Sequence, residues 1–115
     1  MYSVTQSFIE WLGSKGFEAH SYPPNDSTEF VTVERTGGGV EDMVDRPSIA
    51  IQTWAQTEAR AEEMAIAIKY ALLTSALPVG VHHVSINSGA YRFYDEDTRL
   101  PRFQMYLDVV SQLTD

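Results

Sequence analysis

No cysteine occurs among the 115 residues, so disulfides and thiolate metal sites are excluded. That absence fits assembly in a reducing cytoplasm. Cations are scarce as well: eight Lys and Arg stand against 16 Asp and Glu, a net charge of −8. Affinity for a phosphate backbone comes from cations that displace counterions, so a chain this acidic is poorly suited to grip nucleic acid. No apolar run approaches the ~20 residues that span a bilayer. The opening residues, up to Ser14, hold no Lys or Arg, and their apolar positions alternate with polar ones, so no signal peptide is expected.

Catalytic signatures are missing too. There is no Gly-x-Ser-x-Gly, no His-Glu-x-x-His and no cysteine nucleophile. Gly37-Gly38-Gly39 is followed by Val40-Glu41-Asp42, where a phosphate cradle would need Lys-Ser or Lys-Thr. It reads as a flexible loop. His82 and His83 are neighbours on a predicted strand, so they point to opposite faces and do not share a metal. Asp95-Glu96-Asp97 opens like a calcium loop but lacks the glycine and closing glutamate, and reads as a solvated turn. Glu58, Glu62 and Glu63 suit the positive end of a helix dipole without any acid–base role. No enzyme, metal or cofactor is expected.

What is present is ordinary globular material, 43% hydrophobic and 21% charged, enough for one domain over residues 1–115. The strongest element is a helix over Thr57–Leu77, with Ala61, Met64, Ala65, Ile68, Leu72 and Ala76 on one stripe. Pro78 and Gly80 stop it. A shorter helix at about 3–15 carries Val4, Phe8, Trp11 and Leu12 on one side, with Ser3 as N-cap and Gln6 completing a capping box.

Strand patterns fill the rest. Phe17–Tyr22 reads as a short strand, and Glu29–Arg35 as a strong one with Val31 and Val33 facing one way. Thr36-Gly37-Gly38-Gly39 breaks it. Pro47 opens a run over Ser48–Ala55, and the two strands form an antiparallel pair across a long, acidic, projecting loop, Gly37–Arg46. Val81–Asn87 is a strand, kinked at Ser88-Gly89 and continuing through Tyr91 and Phe93. Phe103, Met105, Leu107 and Val109 alternate in a last strand, although Phe103, Tyr106, Leu107 and Val110 also fit helical spacing. The architecture expected is α+β: an antiparallel sheet of four to five strands with two helices on one face, in the order α-β-β-β-α-β-β.

The aromatic residues Trp54, Tyr91, Phe93, Tyr94, Phe103 and Tyr106 exceed what a small core requires, and Arg92, Arg99 and Arg102 sit among them. Tyr, Trp and Arg concentrate at protein interfaces.

A family pattern runs over about two thirds of the chain. Its carriers are Phe30-Val-Thr-Val-Glu-Arg-Thr-Gly-Gly-Gly39, Asp45-Arg46-Pro47 before a hydrophobic strand, and Trp54-Ala55 leading to Ala61-Glu62-Glu63-Met64-Ala65. Tyr94-Asp95 and Leu100-Pro101-Arg102-Phe103-Gln104 complete it. These segments resemble small phage and prophage proteins of the tail terminator or head–tail joining (neck) group. The resemblance implies a homo-oligomeric ring, commonly a hexamer, that caps the tail tube, ends tube growth and docks to the head connector. It implies a virion tail or neck location after assembly in the host cytoplasm, without a membrane. DNA would pass through an acidic lumen without specific binding.

Within that frame the interface residues expected are Gly37, Gly38, Gly39, Glu41, Asp42, Asp45 and Arg46 in the loop, together with Tyr94 and with Arg92, Arg99 and Arg102, the arginines facing acids of the next subunit. The plain alternative is that Arg102 merely sits at an exposed strand start. The competing functions are another head–tail adaptor or stopper, and a small non-viral protein-binding module that stays monomeric or dimeric.

Overall fold

The structure is a computed structural model that describes residues 3–93 and 100–112, and for 88–93 the backbone alone. Seven elements follow in the expected order. They are α1 (Val4–Ser14), β1 (Ala19–His20), β2 (Phe30–Glu41), β3 (Val44–Trp54), α2 (Glu58–Thr74), β4 (Val81–Phe93) and β5 (Arg102–Gln112). The five strands form one sheet in the order β1-β2-β3-β5-β4. β1 pairs parallel with β2, and the other pairings are antiparallel. The fold is therefore α+β, with both helices on one face of a mostly antiparallel sheet.

Helix α1 starts where Ser3, in extended backbone, accepts a hydrogen bond from the Gln6 N–H at 3.3 Å. That bond satisfies one of the donors a helix start leaves open. The helix buries Phe8, Trp11 and Leu12 against the sheet. It also buries Ser7, whose hydroxyl donates to the Val79 carbonyl at 2.6 Å.

Helix α2 is capped by Thr57, which accepts from the Arg60 N–H at 3.2 Å. Ala61, Met64, Ala65, Ile68 and Leu72 are buried as the stripe predicts. The helix ends at Thr74, about a turn short of Leu77. Ser75 is already in extended backbone, ahead of Pro78. The buried indole of Trp11 needs an acceptor, and its Nε1 donates to the Ala76 carbonyl at 2.8 Å. Residues 76–79 thus serve α1 through their backbone, and Ala76 leaves the helical stripe.

On the sheet face under the helices, Val31 and Val33 of β2 join Ile49 and Ile51 of β3 and Phe103, Met105, Leu107 and Val109 of β5 in one core. Val84 and Ile86 of β4 pack half-buried at its edge. Fully burying each such side chain contributes about 2 kcal/mol, so this face supplies most of the hydrophobic stabilisation. The strand reading of residues 103–109 holds, and the helical spacing there is incidental.

Two expectations about β2 and β3 are corrected. The glycine run does not break β2. The strand continues through Gly37, Gly38 and Gly39 to Glu41, with a register shift between Arg35 and Gly37. Nor are the strands joined by a long loop. Glu41 pairs with Val44, and Asp42 and Met43 alone make the turn, at φ 50° and 67°. Two successive positive φ values give the hairpin geometry that matches strand twist, normally signalled by Asn-Gly or Asp-Gly. Asp-Met carries no such signal. Pro47 accordingly lies within β3 rather than at its start, opposite Gly38 and between the β5 pairings of Asp45 and Ser48. A missing N–H costs nothing where the ladder has no bond to make.

The short strand expected over Phe17–Tyr22 shrinks to Ala19–His20, because it borders β2 only at Val31 and Thr32. β4 shows the expected irregularity, with register shifts between Ile86 and Ser88 and between Ser88 and Tyr91.

Candidate functional site

The sheet separates the expected interface residues into two groups. Gly37–Arg46 lie at the hairpin end, while Arg102 sits opposite Trp54 at the other end of β3. From Asp45 to Trp54 the strand runs roughly 30 Å at 3.3 Å per residue. Arg92 is placed by its backbone opposite Phe103, near Arg102. Tyr94 and Arg99 lie outside the described residues.

At the hairpin end, Arg35 grips Asp45 with two parallel hydrogen bonds of 2.8 Å each. The guanidinium holds the Asp45 carboxyl below its usual value, and the carboxylate raises Arg35 in turn. Asp45 is thereby committed within its own hairpin. Glu41, Asp42 and Arg46 are exposed, and so are Val40 and Met43 at the tip. Gly38 has a different task. At φ +91°, a Cβ there would lie 2.1 Å from the Arg46 carbonyl oxygen and 2.7 Å from the Pro47 Cα. Only glycine lets the two backbones approach this closely.

At the other end, on the sheet face away from the helices, Arg102 lies over the Trp54 ring at 4.6 Å. Trp54 stacks on Phe30 with centroids 5.4 Å apart and planes 19° from parallel. His20 meets Phe30 edge-on at 6.5 Å. A cation over an indole is a stabilising arrangement, and Arg102 is half-buried by it. It is more than the exposed strand start of the plain alternative.

Beneath this stack a polar ladder crosses three strands. Trp54 Nε1 donates to the Thr32 hydroxyl at 3.1 Å, and that hydroxyl donates to Gln52 Oε1 at 3.1 Å. Gln52 Nε2 donates to Gln104 Oε1. Thr32, Gln52 and Gln104 are direct register partners, which is what makes the ladder possible. The sequence reading missed it. Its signal was three polar residues at the centres of strands, Thr32 between two valines, Gln104 between Phe103 and Met105, and Gln52 after Ile51.

Arg60 is the third organised cation. It donates to both carboxylate oxygens of Glu29, at 2.9 and 3.1 Å, and to Glu63 at 2.8 Å. Its hydrogen bonds push its own pKa up and hold the Glu29 carboxyl below the ordinary range. Glu63, read as a simple helix-dipole acid, also braces Arg60, which ties the start of α2 to Glu29 just ahead of β2.

Two of the clefts among the described residues bear on function. The larger, about 230 Å³, lies between α1 and residues 77–79, lined by Ser7, Glu10, Trp11, Ser14, Leu77, Pro78 and Val79. Its hydroxyls and indole are spent on backbone carbonyls, and Glu10 is its one ionisable group. The smaller, about 150 Å³, holds the Arg60–Glu29 pair. Neither brings convergent reactive groups together in the way general acid–base or nucleophilic chemistry needs. No group of three or more His, Asp or Glu among the described residues is placed to hold a metal ion. His82 and His83 are exposed, and His83 reaches only the Ser85 hydroxyl, at 3.1 Å. Among the described residues no helix is long and apolar enough to cross a membrane.

The outer side of α2 is unusual. Ile66, Tyr70 and Leu73 recur at helical spacing there and are all exposed. This second stripe was legible in the same periodicity that revealed the buried one, and the sequence reading passed over it.

The described surface thus offers a hairpin with an exposed tip and an apolar helix face, with Arg35 and Arg60 held in internal ion pairs. No protein-family model matches the chain, and no curated protein matches its sequence.

Proposed function

We propose that the chain is a structural phage neck protein of the tail terminator kind. In this reading it forms a ring that caps the tail tube, ends tube growth and joins the tail to the head connector. The observation that carries the reading is the β2–β3 hairpin. The resemblance attributes to such subunits a projecting connection between two strands, used for contacts with the tube or a neighbour. Here β2 and β3 run paired to Glu41 and Val44, and the tip exposes Val40, Asp42 and Met43. A rigid two-stranded arm presents such groups at lower entropic cost than a floppy loop.

The charge balance supports the same reading. A net charge of −8 gives a ring lumen no affinity for phosphate, so DNA passes without sticking. The subunit then works in the virion neck after assembly in the host cytoplasm, with the tail tube protein and the head connector as partners.

The deciding experiment is absolute mass by light scattering over a concentration series, alone and with purified tail tubes. The expected result is a closed oligomer of about six copies, or tubes blocked from further growth, since heterologous contacts close into rings. A chain that stays monomeric at every concentration and leaves tube growth unchanged overturns the reading.

A further inference from the structure

Exposed large apolar side chains on this molecule are concentrated. Among the described residues they are Tyr22, Val40, Met43, Ile66, Tyr70, Leu73 and Val79. Two of them, Val40 at 58% and Met43 at 75% exposure, flank the hairpin tip. Three more, Ile66 at 57%, Tyr70 at 69% and Leu73 at 68%, form the outer stripe of α2. Singly, such residues need no explanation; gathered in patches, they mark contact surfaces.

The two patches differ in charge. Sixteen carboxylates in 115 residues average one in about seven, yet none occurs between Glu63 and Asp95. The last three turns of α2 fall in that gap, and Lys69 lies beside Ile66 and Leu73 on the helix surface. At the hairpin tip the opposite holds. Glu41 and Asp42 adjoin the apolar pair, the next carboxylate, Asp45, is neutralised by Arg35, and the exposed Arg46 lies further down the arm, opposite Gly39.

We infer that the hairpin tip of one copy docks on the outer face of α2 of the next, Val40 and Met43 against Ile66, Tyr70 and Leu73, with Glu41 and Asp42 facing Lys69. This rests on the ring reading and names the surfaces that would build the ring. The occupant is a second copy because each patch supplies what the other lacks. Tip against tip would set Glu41 and Asp42 against their own copies, and α2 against α2 would oppose two lysines. Like charges at a contact are costly, and complementary ones fix partner and register. Because the patches are different surfaces, the contact is head-to-tail and can propagate until it closes.

The absence of cysteine makes the test direct, since introduced thiols are the only ones. Met43→Cys and Tyr70→Cys both fall at exposed positions, and circular dichroism checks that each variant folds. On oxidation, or with a short bismaleimide linker, the two single variants mixed together should yield a covalent dimer. The double variant should yield a ladder of larger species, and each single variant alone should yield none. Met43→Cys cross-linking to itself as readily as to Tyr70→Cys overturns the inference.

A second pair reads the charges. Lys69→Glu should raise the midpoint concentration for assembly at least about tenfold, and Asp42→Lys in the same chain should recover much of that loss. Oligomers that form by light scattering without any cross-link between positions 43 and 70 would sink this contact while leaving the ring standing. A strict monomer, with and without tail tubes, removes both.

Discussion

Gly38 and Met43 show how much one backbone angle decides in this hairpin. Gly38 sits at φ +91° with its missing Cβ aimed at the Arg46 carbonyl. Gly38→Ala should therefore cost about 2 kcal/mol, read as a lower urea midpoint at unchanged slope, because a strained φ and a backbone clash act together. Met43 is the reverse case. It holds φ 67° with a side chain that disfavours it. Met43→Gly should stabilise the isolated fold by about 1 kcal/mol, by relieving left-handed strain. The same change should weaken assembly, since it deletes an apolar group at the tip. A variant that melts higher and associates as well as the parent would separate the turn from the contact.

Asp45 gives the acid behaviour its sign. Its folded pKa lies below the ordinary 3.8 because Arg35 hydrogen-bonds the carboxylate. Folding then gains stability from this group above the unfolded value, and the gain is lost as pH falls through the lowered folded value. Asp45→Asn should flatten the part of the stability curve between about pH 5 and pH 2 that this pair supplies. Urea midpoints measured across that range check it, and an unaltered slope would assign the acid sensitivity to other carboxylates.

Among the elements, the central strands are buried on both faces, which simple alternation did not anticipate. Phe30, Thr32, Ala50, Trp54 and Gln104 are buried although both helices pack on the other face. The ladder from Trp54 through Thr32 and Gln52 to Gln104 lets this second face stay polar and satisfied. Thr32→Val keeps the shape but strands the buried indole N–H. It should cost about 1–3 kcal/mol, more than a loss of one exposed hydrogen bond would. Equilibrium unfolding followed by Trp fluorescence measures it directly. A neutral result would mean that the indole finds another acceptor. Helix α2 shows a similar tie. Its last turn gives way to extended backbone at Ser75, and the Ala76 carbonyl beyond it accepts from Trp11 of α1.

For the whole molecule, the strands set the shape. Strands of 11 to 13 residues, lying side by side, account for a longest dimension of 42 Å. Acidic groups collect at the hairpin tip, while the later turns of α2 and the described part of β4 carry none. If head-to-tail docking joins these regions, assembly should weaken as ionic strength rises from about 0.05 to 0.5 M, since exposed charge pairs are screened within a Debye length. Sedimentation at the two salt concentrations reads the effect. Assembly that strengthens with salt would assign the contact to apolar surface alone.

The sequence by itself determined the class, the element order and the helix-facing core. Those follow from local spacing: i, i+3, i+4 on Phe8, Trp11 and Leu12, i, i+4, i+8 on Met64, Ile68 and Leu72, and strict alternation from Phe103 to Val109. It also pointed to the antiparallel pairing of β2 and β3, though across a long loop, to Arg102 and to the aromatic residues around it. Only the tertiary structure decided that Gly37–Gly39 remain in a strand, that Asp42-Met43 make the turn, and that Arg102 rests on Trp54. Each depends on cross-strand register: Gly38 opposite Pro47, Glu41 opposite Val44, and Trp54 opposite Arg102. A local pattern records which face a residue prefers. What waits across the sheet is set by register, and register exists only once the strands have met.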